Sequence, residues 1–236
     1  MIMNIDVLEG FKQLEDKSIN HILTSPPYNR KRNDKYEHYI DIKEDYFDWL
    51  CLILDECLRV TKGYVFFNVQ KNYYNKKDIF KLFGKFSSKI QEVIIWEKTN
   101  PMPAAGKAIT NSYEFFIVLS DRPLKSNSTY TKNLIATSVN GDMPTIHKAV
   151  MKQDVSDWII KSFTKPNDLI LDCFVGVGTT PISCIKYNRR YIGFDIIKEY
   201  IEVAEKRIKE VTVCKAESDN GIPPKTKVLG ILPKIL

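Results

Sequence analysis

The sequence predicts an α/β fold, a mostly parallel sheet with helices on both faces. Three observations predict it. Short apolar runs rich in β-branched and aromatic residues alternate with longer amphipathic segments, the pattern of strands returned to one sheet by helices. The 236 residues, 44% of them hydrophobic, suffice for one sizeable core but not for two full domains. Residues 169–180 read as strand, glycine turn and helix in succession, and the strand that follows ends on an acid.

In chain order, His21-Ile22-Leu23-Thr24 is a strand that stops at Pro26-Pro27, because proline cannot donate to a sheet ladder. Residues 46–60 place Phe47, Leu50, Leu54 and Leu58 at helical spacing, and Gly63 closes that helix before a strand at 64–69. A second amphipathic segment spans 77–87. Strands at 92–97 and 113–119 flank a loop holding Asn100, Pro101, Pro103 and Gly106, which predicts a hairpin with a long connection. Residues 121–146 are polar and punctuated by Pro, Gly and Asn, so they read as a surface insertion outside the core. Then follow a helix at 154–164, a strand at 169–172, a glycine turn, a helix to Lys186, a strand at 191–195 and a helix at 199–211. The division expected is one domain over 1–210 that contains the insertion, and a tail over 211–236, mobile or packed on the surface.

Charge and cysteine content set bounds on function. A net charge of +6 permits a nucleic-acid partner without requiring one. Five cysteines, an odd number without a C-x-x-C pair, argue against a disulfide framework or a zinc cluster and for a reducing compartment, the cytoplasm. No apolar run reaches membrane-spanning length and the N-terminus lacks a signal-peptide pattern, so no membrane association is expected. His21 and His38 have no evident partner, no Ser-His-Asp or metal-binding spacing occurs, and no metal is expected.

Two segments carry chemistry. In Asp172-Cys173-Phe174-Val175-Gly176-Val177-Gly178-Thr179-Thr180 the glycines let backbone approach a nucleoside cofactor closely. Asp195 follows Gly176 by 19 positions, near the spacing of an acid that binds ribose hydroxyls. Taken alone, this is equally a structural turn of any α/β protein. Pro181 stands where a dinucleotide site has its third glycine, which fits such a site poorly.

The other segment is Thr24-Ser25-Pro26-Pro27-Tyr28-Asn29, a turn at the carboxyl edge of the sheet. Because Pro27 has no N–H and both prolines have fixed φ, the carbonyl of Pro26 is left to accept a proton from a substrate amine, and Ser25 supplies a second acceptor. An exocyclic base amine is a poor nucleophile while its lone pair is delocalised into the ring. Two acceptors on its N–H bonds favour the pyramidal geometry that attacks. Tyr28 is expected to offer a face on which a base taken out of the duplex stacks. The bland reading is a rigid turn with a core tyrosine.

With both segments in this order, the sequence resembles the amino-methylating DNA methyltransferases of the N6-adenine and N4-cytosine type, in the permuted arrangement that puts the catalytic motif before the cofactor motif. The resemblance covers nearly all of residues 4–210. It implies a Rossmann-like, mostly parallel seven-stranded sheet and S-adenosylmethionine as cofactor. It places Ser25, Pro26, Pro27 and Tyr28 in the catalytic turn, and Asp172, Phe174, Gly176, Gly178, Thr179 and Thr180 toward the methionine. Asp195 matches the ribose acid and Asp6 the aspartate near the adenine. The chain departs from the family at Cys173, where proline is usual, and at Val177, where serine is usual. Lys148 and Lys152 replace prolines of another family segment, in which His147 is as readily structural as ligand-binding.

The resemblance makes double-stranded DNA, with a flipped base, the partner. The basic run with Arg30, Lys31, Arg32 and Lys35 follows the catalytic turn directly and is placed to meet phosphates, although a charge run is more often a solvated face. Residues 121–146 hold the place of the relatives' target-recognition region, and their shortness implies a short site or help from a partner subunit. A companion restriction nuclease is a further possible partner, and monomer and homodimer remain open. Ser25 tilts the target toward cytosine N4, with adenine N6 as the alternative. A catalytically silent DNA- or nucleotide-binding subunit would have no need of an intact Ser25-Pro26-Pro27-Tyr28, and a nicotinamide enzyme would want the third glycine.

Overall fold

A computed structural model of the chain describes residues 1–30, 43–106, 108–138 and 150–219. Its strands are β1 (Ile2–Asn4), β2 (His21–Thr24), β3 (Val65–Val69), β4 (Ile90–Lys98), β5 (Tyr113–Leu119), β6 (Leu134–Thr137), β7 (Leu169–Asp172) and β8 (Arg190–Asp195). Its helices are α1 (Val7–Lys12), α2 (Tyr46–Val60), α3 (Lys76–Lys85), α4 (Gln153–Phe163), α5 (Thr179–Lys186) and α6 (Lys198–Asp219). The strands form one sheet in the order β1-β8-β7-β2-β3-β5-β4-β6, in which every neighbouring pair is parallel except β3/β5 and β5/β4. The sheet is thus mostly parallel, and β4 and β5 make the expected antiparallel hairpin.

Alternation along each strand feeds two cores. Val65, Phe67 and Val69 of β3 join Phe115, Ile117 and Leu119 of β5 against α1, α2 and α3, through residues such as Phe11, Leu50, Leu54, Ile79 and Leu82. Phe66 of β3, Phe116 and Val118 of β5 and Ile94 and Trp96 of β4 turn the other way, onto α4 through Val155, Ile159 and Ile160. Helix α2 begins and ends where its apolar spacing predicts.

Several expectations need correcting. The sheet has eight strands where the resemblance implies seven. Strand β1, three residues pairing with β8, carries too short a pattern to be read from sequence. Strand β6 lies inside the presumed insertion and pairs in parallel with β4; its side chains alternate between exposed and half-buried, so the edge strand looks polar in sequence. Helix α6 continues beyond 211 to Asp219, while 220–236 fall outside the described residues. His21 does have partners: its Nδ1 accepts the Tyr64 N–H at 3.1 Å and its Nε2 lies 3.5 Å from Asp168. Burial pushes its pKa down to about 4, against the pull of Asp168, which marks a neutral structural imidazole. His38 and His147 lie outside the described residues. All five cysteines are free. Among the described residues, no helix is long and apolar enough to cross a membrane, and no cluster of three or more His, Cys, Asp or Glu could hold a metal.

Candidate active site

Strand β2 lies between β7 and β3 and runs parallel to both, so the chain leaves β2 and β7 at the same edge. The last residue of each strand makes the connection. Thr24 Oγ1 donates to Asp172 Oδ1 at 2.8 Å, a buried bond across 148 residues of chain. The same carboxylate oxygen accepts the Phe174 N–H at 3.2 Å. Burial raises the Asp172 pKa to about 6, opposed by the hydroxyls of Thr180 and Thr24.

In the turn that follows Thr24, two carbonyls are engaged by side chains. Pro27 O accepts the Tyr46 hydroxyl at 2.6 Å, and Tyr28 O accepts the side-chain amides of Asn72 and Asn75, each at 2.8 Å. No hydrogen bond from the described residues reaches the Pro26 carbonyl. The prolines therefore hold one acceptor in place without satisfying it.

Beneath the turn lies a polar cluster. Ser25 Oγ is 2.8 Å from the Tyr28 hydroxyl and 3.1 Å from Asn68 Oδ1; the Tyr28 hydroxyl is 2.5 Å from Asn68 Oδ1 and 2.9 Å from Glu114 Oε2. Lys98 Nζ lies 2.5 Å from Glu114 Oε1. Strand alternation explains the cluster. Asn68 shares a face with Phe66, Glu114 with Phe116, and Lys98 with Trp96, and these three adjacent strands bring all three residues to the β2 edge.

The cluster and Arg30 enclose Tyr28. Its side chain is 6% exposed, its hydroxyl points into the cluster, and the Arg30 guanidinium covers its ring at 5.3 Å from the centroid. The ring is not an open stacking face. Burial and the neighbouring Glu114 carboxylate push the phenol pKa well up, so the hydroxyl stays protonated.

At the second turn, Gly176 and Gly178 take φ of 48° and 86°. Gly178 precedes the first residue of α5, and a Cβ there would stand 3.0 Å from the Ala204 Cβ of α6. A Cβ on Gly193 would meet Val175 at 2.9 Å, so β8 lies directly against the turn. Asp195 Oδ2 accepts the Gly176 N–H at 2.8 Å and its Oδ1 accepts the Ile197 N–H at 2.9 Å. Thr179 and Thr180 are buried at the start of α5, and Phe174 packs on Trp49 with centroids 5.6 Å apart. Asp6 caps α1 by accepting the Leu8 N–H at 2.9 Å, two residues beyond Asn4, the partner of Asp195 in the sheet.

The profile of the DNA methylase family, which covers N6 and N4 methyltransferases, matches residues 19–140 and 124–206. The chain belongs to this family. Among its relatives is the Type II methyltransferase M.BglII of Bacillus subtilis, 28% identical over 86% of this chain and 67% of the relative. Another is M.HinfI of Haemophilus influenzae, 27% identical over 89% of this chain and 68% of the relative. In architecture the chain resembles the PvuII DNA methyltransferase (cytosine-N4-specific), with TM-score 0.71 and 18% identity over 90% of both chains. The M1.HpyAVI–SAM complex superposes with TM-score 0.62 and 24% identity over 88% of this chain and 98% of the other.

The methylase is S-adenosylmethionine-dependent, and its glycine turn fits that cofactor. Burial raises the pKa of both Asp172 and Asp195, and a cationic, hydroxyl-bearing ligand would relieve both, whereas a pyrophosphate there would be repelled. Beside Asp195, the apolar Ile196 is 69% exposed.

Next to the methylase's 25–29 turn opens a cleft of about 1200 Å³. Arg30, Lys71, Lys76, Lys98 and Lys152 bring positive charge to it, and Tyr73, Trp96 and Tyr113 bring rings. Of the basic run, Arg30 lines the cleft and donates to Gln70; Lys31, Arg32 and Lys35 lie outside the described residues. Asn68, Glu114, Lys98 and residues 70–76 belong to no motif of the sequence. The first two were visible as polar residues interrupting apolar strands, a pattern that needs a reason in a buried sheet.

Proposed function

We propose that the chain transfers a methyl group from S-adenosylmethionine to the exocyclic N4 amine of a cytosine flipped out of duplex DNA, at a specific site. The observation that carries this reading is the Thr24–Asp172 bond, which fixes the two turns side by side at one sheet edge. In the family the donor supplies an electrophilic methyl group when bound. Asp172, Phe174, Gly176, Gly178, Thr179 and Thr180 are assigned to its methionine side, Asp195 to the ribose hydroxyls and Asp6, with Ile196, to the adenine side.

The Pro26 carbonyl, which no described residue engages, and Ser25 Oγ are assigned to the two N–H bonds of the target amine. Pro27 anchors the turn through Tyr46, and Tyr28 fixes the Ser25 hydroxyl. Arg30, Lys31, Arg32 and Lys35 are assigned to phosphates, with the cleft cations adding to the same field. Strand β6 borders β4, which contributes Trp96 and Lys98 to the cleft, and this supports 121–146 as part of the target-recognition region. The Type II names of the relatives support a companion nuclease. Serine, a neutral acceptor at the first catalytic position, supports cytosine.

The test is expression in a host without DNA methylation, followed by mass spectrometry of nucleosides from its DNA. N4-methylcytosine is the expected product. N6-methyladenine would move the target to adenine. Neither product, from a protein that binds S-adenosylmethionine, would make the chain a silent subunit.

A further inference from the structure

We propose that the proton released by methylation leaves through the hydroxyls of Ser25 and Tyr28 to the carboxylate of Glu114, which Lys98 holds in place. The proposal rests on the methyltransferase reading above and adds the proton's acceptor. When an exocyclic –NH₂ takes a methyl group, its lone pair forms the new N–C bond and the old C–S pair stays on sulfur. The nitrogen then bears a positive charge and one hydrogen too many. A peptide carbonyl such as that of Pro26 can hold this N–H but is too weak a base to keep the proton, and a neutral serine can take it only by passing its own onward.

The cluster provides the onward path. Ser25 Oγ lies 2.8 Å from the Tyr28 hydroxyl, which lies 2.9 Å from Glu114 Oε2. Four contacts link Ser25, Tyr28, Asn68 Oδ1 and Glu114, yet the two hydroxyls bring only two protons to them. The ionised carboxylate is the strongest acceptor of the set, so Tyr28 donates to Glu114. The Ser25 proton then turns to Asn68 or to Tyr28, and the Ser25 lone pairs stay available to the amine. In the transfer, the amine N–H breaks as Ser25 Oγ gains its proton. Ser25 gives its own to Tyr28 Oη, and Tyr28 gives its own to Glu114 Oε2. Both hydroxyls end neutral, the base loses its positive charge and Glu114 its negative one.

Asn68 cannot accept the proton and acts as a positioning residue for both hydroxyls. Glu114 and Lys98 both line the cleft, so the proton has an exit to solvent. Their side chains are only 6% and 12% exposed, and a buried ion pair is weak as a device for stability. A relay gives it a reason to stand under the catalytic turn.

The experiment is single-turnover methyl transfer by the full chain, with tritiated S-adenosylmethionine and unmethylated plasmid DNA. Glu114→Gln keeps shape and hydrogen bonding but cannot take a proton, and Tyr28→Phe removes the middle hydroxyl. Each is expected to slow transfer about a hundredfold or more while cofactor affinity holds. The double variant should be no slower than the slower single one, since a broken chain breaks once. Added formate should restore Glu114→Ala but not Glu114→Ala combined with Tyr28→Phe. Wild-type rates in Glu114→Gln and Tyr28→Phe would overturn the relay and leave the methyltransferase reading standing. Additive losses without formate rescue would also overturn it, in favour of a structural cluster. No transfer by the wild type would remove the reading and the relay together.

Discussion

The Thr24 hydroxyl and the Asp172 carboxylate, 148 positions apart, share a 2.8 Å hydrogen bond at the ends of two neighbouring parallel strands. In the proposed reaction one turn grips the substrate amine and the other the cofactor, and this bond then sets the distance between the reacting groups. Thr24→Val removes the donor and leaves a buried carboxylate short of a partner, at a cost of about 1–3 kcal/mol. Urea unfolding should show that loss and calorimetry a weaker S-adenosylmethionine affinity. Thr24→Ser, which keeps the hydroxyl, should be close to wild type in both.

A pH dependence follows from the same carboxylate. Asp172 titrates at about 6 in the fold and at an ordinary 3.8 when unfolded. Between those values the folded state binds more protons, so this group's contribution to stability is complete below the unfolded value and lost as pH rises through about 6. His21, lowered to about 4, acts in the opposite sense over much of that window, so the informative quantity is wild type minus Asp172→Asn. That difference should move against wild type by on the order of 2 kcal/mol across the window. Parallel stability curves for the two proteins would show that Asp172 is not the group responsible.

Two glycines should respond in opposite directions to alanine. Gly178 has φ of 86° and a Cβ there would stand 3.0 Å from Ala204, so Gly178→Ala combines backbone strain with displacement of α6. The strain alone costs about 1–2 kcal/mol. Gly84 lies within α3, and a Cβ there meets nothing within 4 Å. Gly84→Ala should stabilise by about 0.5–1 kcal/mol through a less disordered unfolded chain. Thermal melts of the two variants check both signs.

The cleft makes a prediction about salt. Lys71 and Lys76 stand at its wall beside Tyr73, which is 79% exposed. If Lys76 meets a phosphate, Lys76→Ala weakens binding to any duplex and lowers the slope of log affinity against log salt by about 1. Fluorescence anisotropy of labelled duplexes over a salt series measures that slope, and an unchanged slope would take Lys76 out of the interface.

Much of this architecture is legible in the sequence because its signals are local. The spacing of Leu50, Leu54 and Leu58 marks α2, and the prolines at 26 and 27 mark the end of β2. Strands β1 and β6 escape because three or four partly exposed residues form no pattern. The setting of the Tyr28 hydroxyl escapes for another reason. Its partners Asn68 and Glu114 lie 40 and 86 positions away, and only the antiparallel excursion of β4 and β5 brings Glu114 under the turn. The sequence marks the hexapeptide; the fold turns its tyrosine hydroxyl toward Asn68 and Glu114.

In the proposed reaction Ser25-Pro26-Pro27-Tyr28 grips an amine beside bound S-adenosylmethionine. The most direct measurement is tritium transfer from labelled S-adenosylmethionine to unmethylated DNA by wild type and Ser25→Ala, with cofactor affinity measured on both. Label in the DNA is expected for wild type, with a loss of about a hundredfold or more in Ser25→Ala at unchanged cofactor affinity. Equal transfer by the two proteins would take Ser25 out of the reaction.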